Sequence, residues 1–198
     1  MNLKKAISYI AFGFLFISLN INITINNLST FNLLPDFVGW ILFALAYAKM
    51  KKYASDNLAL LWIPVVMALY SAVEWASAFR GAELLPGWLG LIFSILRLVY
   101  LFTLFGRLEM LAEDYAPHMT SMIHTLKILQ LAFQIGQTAL IVLAMLQMSD
   151  LFALLAMIAL IAGVILTIVS CVTLFQLRSA VTEQLAGQPQ DPEEFPEP

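Results

Sequence analysis

Charge is scarce in this chain: 12% of its 198 residues are Asp, Glu, Lys or Arg, against roughly a quarter in soluble domains. Cysteine is scarcer still. The one thiol, Cys171, lies inside an apolar run, which excludes an internal disulfide framework and a Cys-rich metal site. It reads as a small apolar packing residue. Histidine is nearly absent too. His118 and His124 are six apart, not the i, i+4 pair of a zinc-binding helix, and neither HExxH nor GxSxG occurs. Asp114 and His118 straddle Pro117 in a polar stretch and read as solvated loop. Ser121 and His124 have no neighbour to orient the imidazole for nucleophilic catalysis. Haem ligation wants histidines on facing helices within the spans, and both lie at one end of an apolar run. The net charge of −3 is misleading, because Asp191, Glu193, Glu194 and Glu197 account for −4 and leave +1 for the rest. No basic surface suited to nucleic acid remains. These absences point away from an enzyme, from a metal or other cofactor, and from a nucleic-acid partner.

What the chain has in excess is apolar length. Hydrophobic residues make up 61% of it, in runs of about 20, the number that crosses ~30 Å of hydrocarbon at 1.5 Å per residue. The expected fold is all-α, a polytopic transmembrane bundle of six spans at about 6–25, 33–50, 58–79, 86–105, 117–148 and 151–177. The first run follows Lys4 and Lys5 but lacks a small-x-small cleavage site, so it reads as a retained span rather than a signal peptide. Six spans put both termini on one side. Lys4, Lys5, Lys49, Lys51, Lys52, Arg107, Lys127 and Arg178 fall at one set of ends and only Arg80 at the other. The positive-inside rule then makes the termini cytoplasmic. Trp40, Tyr53, Trp62 and Trp88 lie near span ends, as interfacial aromatics do. The transmembrane domain is expected over 1–185. The Pro-rich, acidic 186–198 cannot bury enough to fold and is expected to be a disordered cytoplasmic tail.

A short pattern recurs. LLPDFVGWILF at 33–43 and LLPGWLGLIF at 84–93 share Leu-Leu-Pro with Gly four residues after the Pro. In both the Pro opens an apolar run, where a helix tolerates it best. The pattern starts the returning helix of two of three expected helical hairpins, 1–53 and 58–115; the third, 117–180, has Ser149 in place of Pro. Duplication and a common way of starting a membrane helix both account for it. Pro35, Asp36, Phe37, Gly39 and Trp40 also resemble a Leu-Pro-Asp-Phe-x-Gly-aromatic motif of uncharacterised small polytopic membrane proteins of Gram-positive bacteria. The resemblance covers about a dozen residues and implies no activity.

Ionisable groups within a bilayer cost ~2.5 to 3.5 kcal/mol each on insertion scales, so each needs a partner or a purpose. Glu74 and Arg97 lie well inside expected spans three and four, and Asp36 opens span two. An Arg97 reaching Glu74, joined by Asp36, would make a polar site open to the outer face; the alternative is a structural Glu–Arg pair. Along span five, His124, Lys127, Gln130, Gln134 and Gln137 recur at three and four, one face that must look at the bundle or a wet cavity. Interhelical glue is one role for it and a ligand path the other. Ala159, Gly163, Thr167 and Cys171 form a small-residue ridge, for packing on span five or for a dimer. The leading expectation is a bacterial cell-membrane protein that binds or moves a small solute through Asp36, Glu74, Arg97, Gln130, Gln134 and Gln137. It could act alone, as a homo-oligomer, or as a subunit of a larger transporter. The alternative is a membrane scaffold whose polar groups only hold helices together.

Overall fold

With no water to satisfy it, backbone in hydrocarbon must bond within its own segment, and long apolar runs therefore become helices. The computed structural model describes residues 2–18, 22–25, 29–32, 35–51, 57–80, 85–86, 88–146 and 149–187. Its helices are α1 Asn2–Ser18, α2 Asp36–Met50, α3 Ala59–Arg80, α4 Trp88–Tyr115, α5 Thr120–Met145 and α6 Ser149–Gly187, with a 3₁₀ turn Pro117–Met119 before α5. Among the described residues, four segments are long and apolar enough to cross a membrane: Ala59–Ser77, Trp88–Tyr115, Pro117–Leu143 and Leu154–Ala186. Trp62, Leu69, Phe102, Ile135, Leu160 and Ile168 on their outer faces are each more than half exposed, an apolar surface suited to acyl chains rather than water. The protein is a polytopic, membrane-embedded helical bundle.

The first helix is shorter than the span expected from the sequence. α1 stops at Ser18, and two short strands, β1 Asn22–Ile25 and β2 Ser29–Asn32, pair antiparallel, with Asn22 opposite Asn32 and Ile25 opposite Ser29. Asn20-Ile21-Asn22-Ile23-Thr24-Ile25 alternates polar and β-branched residues with period two, a strand pattern that outweighs its overall hydropathy. β2 lies against α3. α1 and α2, at 17 and 15 residues, are about 25 and 22 Å long, each short of the ~30 Å hydrocarbon layer.

Two helices run on past the boundaries expected at charged residues. α4 continues through Arg107 to Tyr115 because Leu104, Leu108 and Leu111 keep one buried stripe. α6 continues through Arg178 to Gly187 because Leu174, Leu177 and Val181 do the same. Ala186 and Gly187 are thus helical, and 188–198, the rest of the expected tail, lie outside the described residues, as do Lys52, Tyr53 and the expected turn at 81–84.

Each helix packs on its neighbours in sequence, and α6 returns to α1, closing a ring; α4 also touches α6 across the interior. α2 meets α3, and α4 meets α5, more broadly than α3 meets α4, the two helices of the second expected hairpin. The interior is aromatic. Phe14 of α1, Trp40 and Phe43 of α2, and Tyr100 and Phe105 of α4 contact one another with ring centroids 5.2 to 5.7 Å apart. Trp40 is 2% exposed, so it is a core residue and not the interfacial aromatic expected; Trp62 and Trp88 are exposed near helix ends. α1 and α2 cross where neither can carry a side chain. A Cβ on Gly39 would sit 2.8 Å from the Gly13 carbonyl oxygen and 2.6 Å from Ile17 Cγ1, and one on Gly13 would sit 2.7 Å from the Phe43 ring.

Candidate functional site

Pro35 ends the extended approach to α2, and its carbonyl accepts the first-turn N–H of Val38 at 3.0 Å. That geometry sets Asp36 in the first turn, where a carboxylate complements the positive end of the helix dipole. Arg97 projects from α4, nine residues after its start at Trp88. The two meet at a cavity of about 400 Å³, lined among the described residues by α1 (Ile17, Ser18), Asp36, Arg97, α5 (Gln130, Phe133, Gln137) and α6 from Ala159 to Thr167. Asp36 and Arg97 lie within each other's electrostatic reach, and the charge of Glu74 also reaches Asp36. The cavity therefore has an acidic and a basic side chain, both partly buried, in one lining.

Glu74 is placed differently from the expected pairing with Arg97. It does not line the cavity; its carboxylate accepts the Tyr70 hydroxyl one turn earlier on α3 at 2.5 Å. The Tyr70 ring in turn stacks on Phe93 of α4, centroids 3.6 Å apart and planes at 17°. The acid whose charge acts on Arg97 is Asp36, with which it shares the cavity lining. The intrahelical i, i+4 spacing, by contrast, brings Tyr70 to Glu74 first.

The polar face of α5 divides along its length. At its start, His124 Nδ1 is 2.6 Å and Lys127 Nζ 3.1 Å from the two carboxylate oxygens of Glu109 on α4. Further along, Gln130 donates to Ser170 of α6 at 2.7 Å and Gln134 to Ser94 of α4 at 3.0 Å. Ser94 also bonds Thr138 at 2.6 Å. Gln134 is 3% exposed and away from the cavity. Gln137 lines the cavity and makes no side-chain hydrogen bond among the described residues. Of the six residues nominated by sequence, Asp36, Arg97, Gln130 and Gln137 share one cavity, while Glu74 and Gln134 stand outside it.

The far wall of the cavity is built from residues that the sequence presents only as a packing ridge. Ala159, Gly163 and Thr167 of the small-residue ridge line the cavity, and the ridge packs within the chain. A Cβ on Gly163 would meet the Phe133 ring at 2.9 Å, and Cys171 Sγ is 3.4 Å from the Ala11 carbonyl oxygen. The ridge itself was the available signal, since small side chains leave space as well as close contact. Among the described residues no group of three His, Cys, Asp or Glu is placed to hold a metal ion. Compared with protein-family models, with curated proteins and with solved structures, the chain matches none.

Proposed function

We propose that this is a six-span cell-membrane protein, both termini cytoplasmic, that binds or moves a small solute at the cavity between α1, α2, α4, α5 and α6. The observation that carries this reading is the convergence of Asp36, Arg97, Gln130 and Gln137 from three helices on one cavity of about 400 Å³, within the ~300 to 1,000 Å³ of small-molecule sites. Opposite charges held together in a low dielectric suit a zwitterionic solute, each of whose charges meets its complement. The packing of α1 and α2 against α6 and α3, two of the four membrane-length helices, supports counting them as spans although each is shorter than the hydrocarbon layer. The scaffold reading has its own support: Gln130 and Gln134 spend their amides on Ser170 and Ser94, which ties α5 to α6 and α4.

Arg97→Gln and Asp36→Asn, made singly and together in the purified full chain, separate the two. A binding site predicts folded single variants that lose the rise in Tm given to the wild type by zwitterionic amino acids. A structural ion pair predicts poor recovery of folded protein from each single variant and partial recovery in the double, since a lone buried charge is the costly state.

A further inference from the structure

Among the described residues, the cavity does not close on the side of α6. Ala11 and Cys171 face each other across α1 and α6, and these helices run in opposite directions, since Ile17 and Ser18 share the cavity with 159–167. Counting seven residues on along α1 and seven back along α6 puts Ser18, the last residue of α1, level with Val164. From Val164 towards its start, α6 therefore has no α1 beside it. Leu160 and Val164 both line the cavity and are 67% and 39% exposed. Ile161 and Ile165 continue the same outer surface at 56% and 58%. The cavity wall thus runs without a break into the face turned to acyl chains.

From this we infer that the ligand of the Asp36–Arg97 cavity is an amphiphile that enters from the bilayer, its zwitterionic phosphate-and-amine headgroup inside and its tails outside along Leu160 and Val164. The inference rests on the solute-binding reading above and narrows its ligand. Size favours this arrangement: about 400 Å³ takes a headgroup, whereas tails that each span half of a ~30 Å hydrocarbon layer must stay outside. Charge favours it too. Arg97 offers planar N–H donors that match a phosphate, Asp36 offers a carboxylate to an ammonium group, and Gln137 adds an amide. The apolar wall of Phe133, Leu160 and Val164 suits the first methylenes of the tails.

The test uses the full chain in non-ionic detergent, stripped of native lipid, with Tm read against three probes: short-chain phosphatidylethanolamine, free phosphoethanolamine, and an uncharged amphiphile with the same tails. The expected result is saturable stabilisation by the phospholipid, at least tenfold weaker binding of the free headgroup, and no saturable effect of the uncharged amphiphile. Arg97→Gln weakens the phospholipid at least tenfold. Gln137→Leu, which removes no hydrogen bond formed among the described residues, weakens it severalfold and serves should Arg97→Gln fail to fold. Equal binding of phospholipid and free headgroup overturns lateral access while leaving a solute site. Equal stabilisation by the uncharged amphiphile overturns headgroup recognition. If none of the probes binds and the zwitterionic amino acids also have no effect, the solute-binding reading falls with it.

Discussion

The two copies of the Leu-Leu-Pro pattern set their glycines in different surroundings. Pro35 and Pro86 do the same work, each accepting a first-turn N–H at 3.0 Å, from Val38 and from Leu89. Their glycines do not. Gly39 is pressed against Gly13 and Ile17, whereas a Cβ on Gly90 would find nothing nearer than the Tyr70 hydroxyl at 3.8 Å. Gly39→Ala should therefore cost ~1 to 3 kcal/mol, the usual range for overpacking. Gly90→Ala should be neutral or stabilise by up to ~1 kcal/mol, because Ala restricts the unfolded chain. Thermal unfolding of the two purified variants checks the pair, and equal losses would show that both glycines mark close helix contacts. The shared spacing was legible in the sequence; which copy faced another backbone was not, since that depends on where α1 crosses α2.

Among the elements, α5 carries both kinds of polar contact. Lipid is as apolar as leucine, so its helices gain nothing from hydrophobic burial against one another and depend on packing and interhelical hydrogen bonds. Such bonds average ~0.6 kcal/mol in membranes and reach ~1.7 at most. A double-mutant cycle of Gln134→Leu with Ser94→Ala should give a coupling energy in that range, as should Gln130→Leu with Ser170→Ala, measured by reversible unfolding in detergent or bicelles. A cycle of Gln137→Leu with Ser94→Ala should give none. The three- and four-residue spacing revealed that these glutamines share a face, because the helix period alone dictates it. It could not tell glue from cavity, because that depends on whether a serine stands opposite.

For the whole molecule, the closed ring of helices makes a labelling prediction. In a Cys171→Ala background, whose native thiol is buried, cysteines replacing Trp88 or Leu146, both exposed, should react with a membrane-impermeant maleimide added to intact cells. Cysteines replacing Lys4 or Glu113, also exposed, should react only after permeabilisation. Reaction of Lys4→Cys in intact cells would break the topology and with it the outward placement of Asp36.

The sequence by itself determined the class of molecule, the number of helices, and the candidate polar residues, because the energy of placing apolar and ionised groups in hydrocarbon depends on composition and local period. It also held, in the alternation after Asn20, the signal for the strand that cuts α1 short, and in Leu174, Leu177 and Val181 the signal that α6 runs on. Only tertiary structure decided that Arg97 shares a cavity with Asp36 and not with Glu74, that Trp40 is core, and that α6 lines a cavity open on one side. Those outcomes depend on which helices are neighbours and at what height each one stops, relations between residues far apart in the chain that no local pattern encodes.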